Sequence, residues 1–293
     1  MIQSAWLVIY EYNGYIKRGG NTMKSEPIAF MDSGIGGLTV LKVALKELPH
    51  ENMIYLGDEA HMPYGEKSVD QVVNYSMEIG NFFEKQNAKC MVVACNTATA
   101  SALKDLQTKL SIPVVGVIKP GSSAAVKATK NGKIGVIGTK VTINSHAYRD
   151  EIKKLTPEIE TVGLACPTFI PLVEKGDYTS QAARDTIANG LASIKNSGID
   201  TLILGCTHFP IIANLIQDVM GDEVKLIDPG YETVNVAKQI LKDNNELNNA
   251  KTTEINYYTT EGVIHFNNVA SKWLNRRVGS ELITPNQLKD YEK

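Results

Sequence analysis

Short runs of aliphatic and β-branched residues alternate along this chain with longer stretches whose apolar positions recur at three- and four-residue steps. The short runs are apolar at nearly every position, as befits parallel strands covered on both faces, and the longer ones fit the helices that cover them. The alternation predicts an α/β fold with mostly parallel sheets. Strands are expected at Ile28–Met31, Met53–Leu56, Cys90–Ala94 and Val114–Ile118, and a second set at Ile134–Ile137, Thr161–Leu164, Thr201–Gly205 and Lys225–Ile227. An Asn-rich surface connection (241–253) then leads to a strand, EINYYTT (254–260), and a helix (261–274) expected to pack back on the first set.

The two sets share punctuation. VIKPG, ending at Gly121, parallels LIDPG, ending 109 positions later at Gly230. VVACNT parallels LILGCTH, and their cysteines, Cys95 and Cys206, lie 111 positions apart. Buried strands resemble one another by composition alone, but shared Pro-Gly and Cys-Thr/Asn steps favour repetition. The expectation is two pseudo-symmetric domains, 23–118 with 229–290 and 119–228, each giving one cysteine to a cleft between them. Residues 1–22 read as an extension outside the fold, with neither the basic lead nor the small-residue cleavage site of a signal peptide. Translation is expected to start at Met23, since codons for Lys17 to Gly20 can spell a purine-rich ribosome-binding site.

Composition narrows the function classes. With 293 residues, 43% of them hydrophobic, the chain can bury a large core, and a net charge of -2 gives no reason to expect a nucleic acid or a membrane surface as partner. Four scattered cysteines without a CxxC pair fit a reducing cytoplasm rather than a secreted disulfide scaffold. No run approaches the roughly 18 apolar residues of a membrane span.

The chemistry concentrates at strand ends. Cys95 follows CMVVA and precedes a helix that Asn96 or Thr97 can cap; Cys206 follows TLILG and precedes a helix with Pro210 in its first turn. Both thiols are thus expected where ligands bind in open α/β sheets. A helix N-terminus lowers a thiol's pKa only modestly, which suits a pair in which one thiol removes a proton and the other donates one. A lone cysteine at a strand end is most often a small buried hydrophobe. Two in matching settings point to function, whereas Cys90, which starts its strand, and Cys166 read as packing.

DSGIGG (Asp32–Gly37) forms a glycine-rich turn whose backbone N–H groups can hold an anion, with Asp32 either capping the following helix or meeting a substrate ammonium. It does not fit the GxGxxG of dinucleotide sites. His208, two residues beyond Cys206, is placed to assist that thiol, and Cys-x-His lacks the further ligands a metal needs. His50, His61, His146 and His265 read as surface or packing residues.

Taken together, DSGIGG, LGD with PYG downstream, ACNTA, VVGVI and GCTHFP, in this order, resemble the glutamate racemases of the aspartate/glutamate racemase superfamily, over nearly all the chain from Met23 to Trp273. The resemblance implies two α/β domains and racemisation of L- and D-glutamate without pyridoxal phosphate, metal or other cofactor, supplying D-glutamate for peptidoglycan. It implies Cys95 and Cys206 as the two bases, facing the D- and L-enantiomer respectively, with Asp32 and His208 assisting. It places Asp32, Ser33, Tyr64, Gly65, Asn96, Thr97, Thr207 and His208 against the substrate, puts Asp58 and Glu174 in support, and implies a homodimer. An aspartate racemase of the same superfamily, a non-catalytic amino-acid-binding module, and a pyridoxal enzyme using Lys119 are the competing readings.

Overall fold

The computed structural model describes residues 24–291, so the expected extension at 1–22 lies outside the described residues. Among the described residues, ten strands form two all-parallel sheets. In chain order they are β1 (Ile28–Asp32), β2 (Met53–Gly57), β3 (Cys90–Val93), β4 (Val114–Gly116), β5 (Lys133–Gly138), β6 (Glu160–Ala165), β7 (Thr201–Gly205), β8 (Lys225–Ile227), β9 (Ile255–Thr259) and β10 (Ser280–Leu282). The first sheet runs β10-β9-β2-β1-β3-β4 and the second β6-β5-β7-β8. Without β9 and β10 the orders coincide, second-first-third-fourth in each set, as the repeated punctuation predicts.

Each central strand sends alternate side chains into different cores. On β1, Ile28 and Phe30 join one cluster while Ala29 and Met31 join another on the opposite face. On β7, Leu202 and Leu204 divide in the same way from Ile203. All five positions of β1, β2 and β7 are buried, which is why these strands read as continuous apolar runs.

The repeated Pro-Gly steps open two helices, Ile118–Ala128 and Pro229–Asp243, through which the chain passes from one sheet to the other. They pack directly on each other: a Cβ added to Gly121 would lie 2.9 Å from Pro229. The first of them shortens the expected strand at Val114–Ile118, which ends at Gly116 because Ile118 already begins the helix. The tail returns to the first sheet as expected, with β9 pairing β2 in parallel register. The added strand β10, short and partly exposed, was not anticipated. Among the described residues, no helix is long and apolar enough to cross a membrane.

Candidate active site

Asp32 ends β1 and Cys95 follows β3, its hydrogen-bonded neighbour, so the two emerge side by side. Asp32 is fully buried; its Oδ2 accepts from the Gly34 N–H at 3.3 Å and its Oδ1 from the Thr207 hydroxyl at 3.3 Å. Two N–H groups of the glycine-rich turn, those of Gly34 and Gly37, are directed at Asp32's own carboxylate, and the N-cap of the next helix is Gly37. Its glycines allow close approach: a Cβ on Gly36 would lie 2.3 Å from Thr207 Oγ1 and 2.6 Å from His208 Nδ1. Burial raises the Asp32 pKa from 3.8 to about 6, against the opposing pull of His208 and the hydrogen bonds.

Cys95 itself caps the helix Asn96–Lys109, its sulfur accepting from the Ala98 N–H at 3.4 Å; neither Asn96 nor Thr97 takes that part. The Ser33 hydroxyl lies 3.8 Å from the same sulfur. The modest downward pull expected of a helix N-terminus is overcome here. Burial, aided by the Asp32 charge, pushes the Cys95 thiol up to about 12.

Cys206 leaves β7 in a different setting. The residues after it form a 3-10 turn at Phe209–Ile212, and the α-helix begins only at Ala213, so no α-helix N-terminus meets this sulfur as one meets Cys95. Its partner is His208, with Nδ1 at 3.8 Å from Sγ and Nε2 bonded to the Glu174 carboxylate. Burial disfavours charge on His208, yet Cys206 and Glu174 together raise its pKa well above the usual range. His265, expected as a surface residue, is half-exposed and brings Nε2 to 3.9 Å from the other Glu174 oxygen.

Asp58 organises the segment that carries Tyr64 and Gly65. It is buried and accepts from the Tyr64 hydroxyl at 2.6 Å and the Thr260 hydroxyl at 2.8 Å, with His61 Nδ1 at 2.9 Å. Tyr64 thereby commits its hydroxyl to Asp58, and His61 stacks on Tyr75. Across the interface, the Thr97 hydroxyl meets that of Thr139 at 3.0 Å, and Tyr148 donates to Asn96 Oδ1 at 2.7 Å.

These elements enclose one narrow cavity, in which the centre of a water molecule can reach about 20 Å³, room for about one water. Cys95 and Cys206 line it from different sheets, with Ser33, Tyr64, Gly65, Asn96, Thr97, Thr207 and His208 around them. Asp32, Asp58 and Glu174 stand behind this wall, each bonded to a residue that forms it. Met62, Ile170 and Thr139 also line the cavity and went unrecognised in the sequence. Thr139 had a signal: it follows the first strand of its set, as Ser33 does. Lys119 is exposed on its helix and does not line the cavity.

The profile of Asp/Glu/Hydantoin racemases matches residues 39–237. The chain belongs to this family. A glutamate racemase of Enterococcus faecalis is 50% identical over 251 residues, covering 85% of this chain and 92% of that protein. The crystal structure of a glutamate racemase isoform from Bacillus anthracis superposes with a TM-score of 0.87 at 37% identity, covering 89% of this chain and 98% of the other. A glutamate racemase from Francisella tularensis, crystallised with D-glutamate, gives 0.85 at 34% identity, covering 92% and 100%. The racemase thus has the anticipated architecture, two pseudo-symmetric α/β units facing one another.

Proposed function

We propose that this racemase interconverts L- and D-glutamate, one thiol removing the α-proton while the other delivers a proton to the opposite face. The observation that carries the reading is the pair of free thiols lining one cavity from two repeated units. Relatives named glutamate racemase, among them one 50% identical over 251 residues, favour glutamate over aspartate as substrate. Neither a binding module nor a pyridoxal enzyme needs two such thiols.

Each thiol has its own proton partner. Asp32, with a pKa of about 6, can exchange a proton near neutral pH, and its charge is felt at Cys95. The unfavourable ionisation of Cys95 is offset when a substrate ammonium enters beside Cys95 and Asp32, since an opposite charge within about 4–6 Å favours the thiolate. On the other side, His208, backed by Glu174, relays protons to and from Cys206. Glutamate is far larger than the cavity, so its entry requires the two sheets' units to part and then close, shutting out water. The product D-glutamate would serve peptidoglycan synthesis.

The test is proton exchange at Cα. In deuterated water, early D-glutamate formed from L-glutamate carries deuterium acquired through Cys95, and early L-glutamate formed from D-glutamate carries it through Cys206. Cys95→Ser and Cys206→Ser each lose racemisation in both directions while remaining folded. Unlabelled early product in both directions, or a folded single variant that racemises at the wild-type rate, overturns the two-thiol reading. Parallel assays on aspartate check the substrate.

A further inference from the structure

Glutamate brings two carboxylates, yet among the described residues no lysine or arginine lines the cavity that would receive it. Neutral donors must hold those charges, and several hydroxyls around the cavity are already engaged: Tyr64 with Asp58, Thr97 with Thr139, and Thr207 with Asp32. Of the described lining residues, Asn96 alone carries a side-chain amide, with two N–H donors on Nδ2. An amide is two-faced, since its carbonyl end repels a carboxylate as surely as its Nδ2 end binds one. Which end faces the cavity is settled from behind.

Tyr148 stands in the helix Ala147–Leu155, is only 3% exposed, and donates its hydroxyl proton to Asn96 Oδ1 at 2.7 Å. Its ring has little room to swing: a Cβ on Gly205 would lie 3.4 Å from Cε2, and one on Gly121 would lie 3.5 Å from Cε1, on the opposite edge. Burial holds the hydroxyl well above its usual pKa, so it keeps its proton. Among the described residues, Asn96 Oδ1 is the acceptor of that proton, and turning the amide end for end would strand it.

We propose that Tyr148 is a positioning residue that sets specificity: by holding Oδ1 it turns the Nδ2 end of Asn96 into the cavity, where it binds a carboxylate of the substrate. The inference rests on the glutamate reading for its ligand, but not on proton transfer by the thiols. Neutral recognition suits this site. A fixed cation beside the thiols would favour the thiolate on both, and one of them must arrive protonated.

Calorimetry with premixed L- and D-glutamate measures binding whether or not the protein turns over. Asn96→Ala removes the donor and should weaken binding at least about tenfold. Tyr148→Phe frees the amide and should weaken binding at least about threefold, yet in the Asn96→Ala background it should change binding by less than about 1.5-fold, because its effect passes through the amide. Asn96→Asp separates positioning from mere support. It keeps an acceptor for Tyr148 but turns an oxygen toward the cavity, and at pH 8 it should bind glutamate at least about threefold more weakly than Asn96→Ala. A full effect of Tyr148→Phe in the Asn96→Ala background, or tighter binding by Asn96→Asp than by Asn96→Ala, overturns the proposal. A wild type that binds no glutamate overturns it together with the glutamate reading. The expected binding pattern in a protein whose single cysteine variants still racemise supports Tyr148 and counts against the two-thiol mechanism alone.

Discussion

Replacing Asp32 by Asn should stabilise the protein and slow it at the same time. Asp32 is fully buried, and its pKa stands at about 6 against 3.8 for the free side chain. Between those values the folded protein keeps a proton that the unfolded chain has released, so stability falls as pH rises through this window and is level above it. At about 1.4 kcal/mol per unit, the difference amounts to about 3 kcal/mol. Asn lacks this dependence, yet its oxygen can still accept from the Gly34 N–H. The melting temperature of Asp32→Asn minus that of wild type should therefore climb between pH 4 and pH 7.5. With an unfolding entropy of about 2.1 cal/mol/K per residue, the climb is about 5 °C. Calorimetry at both pH values measures it, and the subtraction cancels other titrating groups. Over the same range kcat should fall at least about tenfold, because Asn cannot exchange a proton beside Cys95. Parallel melting curves would refute the burial argument, and an unchanged kcat would refute the role in proton transfer.

Three further outcomes follow from the packing. Gly36→Ala drives a methyl into Thr207 and His208, so circular dichroism should report a folded protein while kcat/KM drops by at least about tenfold. Lys89→Met strips the partner from Glu51, to which Lys89 is bonded at 2.5 Å with both side chains buried, and denaturant titration should show a loss of about 3–5 kcal/mol. Tyr148→Phe removes the 2.7 Å bond to buried Asn96, which should cost about 1–3 kcal/mol of stability by the same titration.

Much of this was legible in the sequence because parallel strands buried on both faces leave continuous apolar runs, and all eight anticipated strands of the two sets are present. Repetition was legible because Pro-Gly steps are needed where the chain turns into the paired helices. β10 escaped notice because Ser280–Leu282 sits at a sheet edge, where no apolar run is required. The thiols were recognisable from context, but their electrostatics were not: a helix N-terminus is visible in a sequence, whereas the burial that outweighs it at Cys95 is a property of everything folded around it. The difference between the settings of Cys95 and Cys206 was hidden for a related reason, since a 3-10 turn and an α-helix draw on similar residues. Glu59 gave no signal at all. A glutamate in DEAHMPYG reads as a solvated loop residue, whereas its Oε1 is buried against the glycine-rich turn.

The unlike surroundings of the two thiols set a boundary on what this enzyme can accomplish. Mirror-image substrates have equal free energies in water, so the equilibrium constant between them is one, and kcat/KM must be equal in the two directions however lopsided the site. A histidine–carboxylate pair on one side and a capped sulfur with a buried aspartate on the other can make the saturated rates and the bound populations differ, but neither can enrich one hand in solution. Net flow toward one enantiomer is then dictated by whichever reaction withdraws it, and the racemase acts as an open valve between two pools.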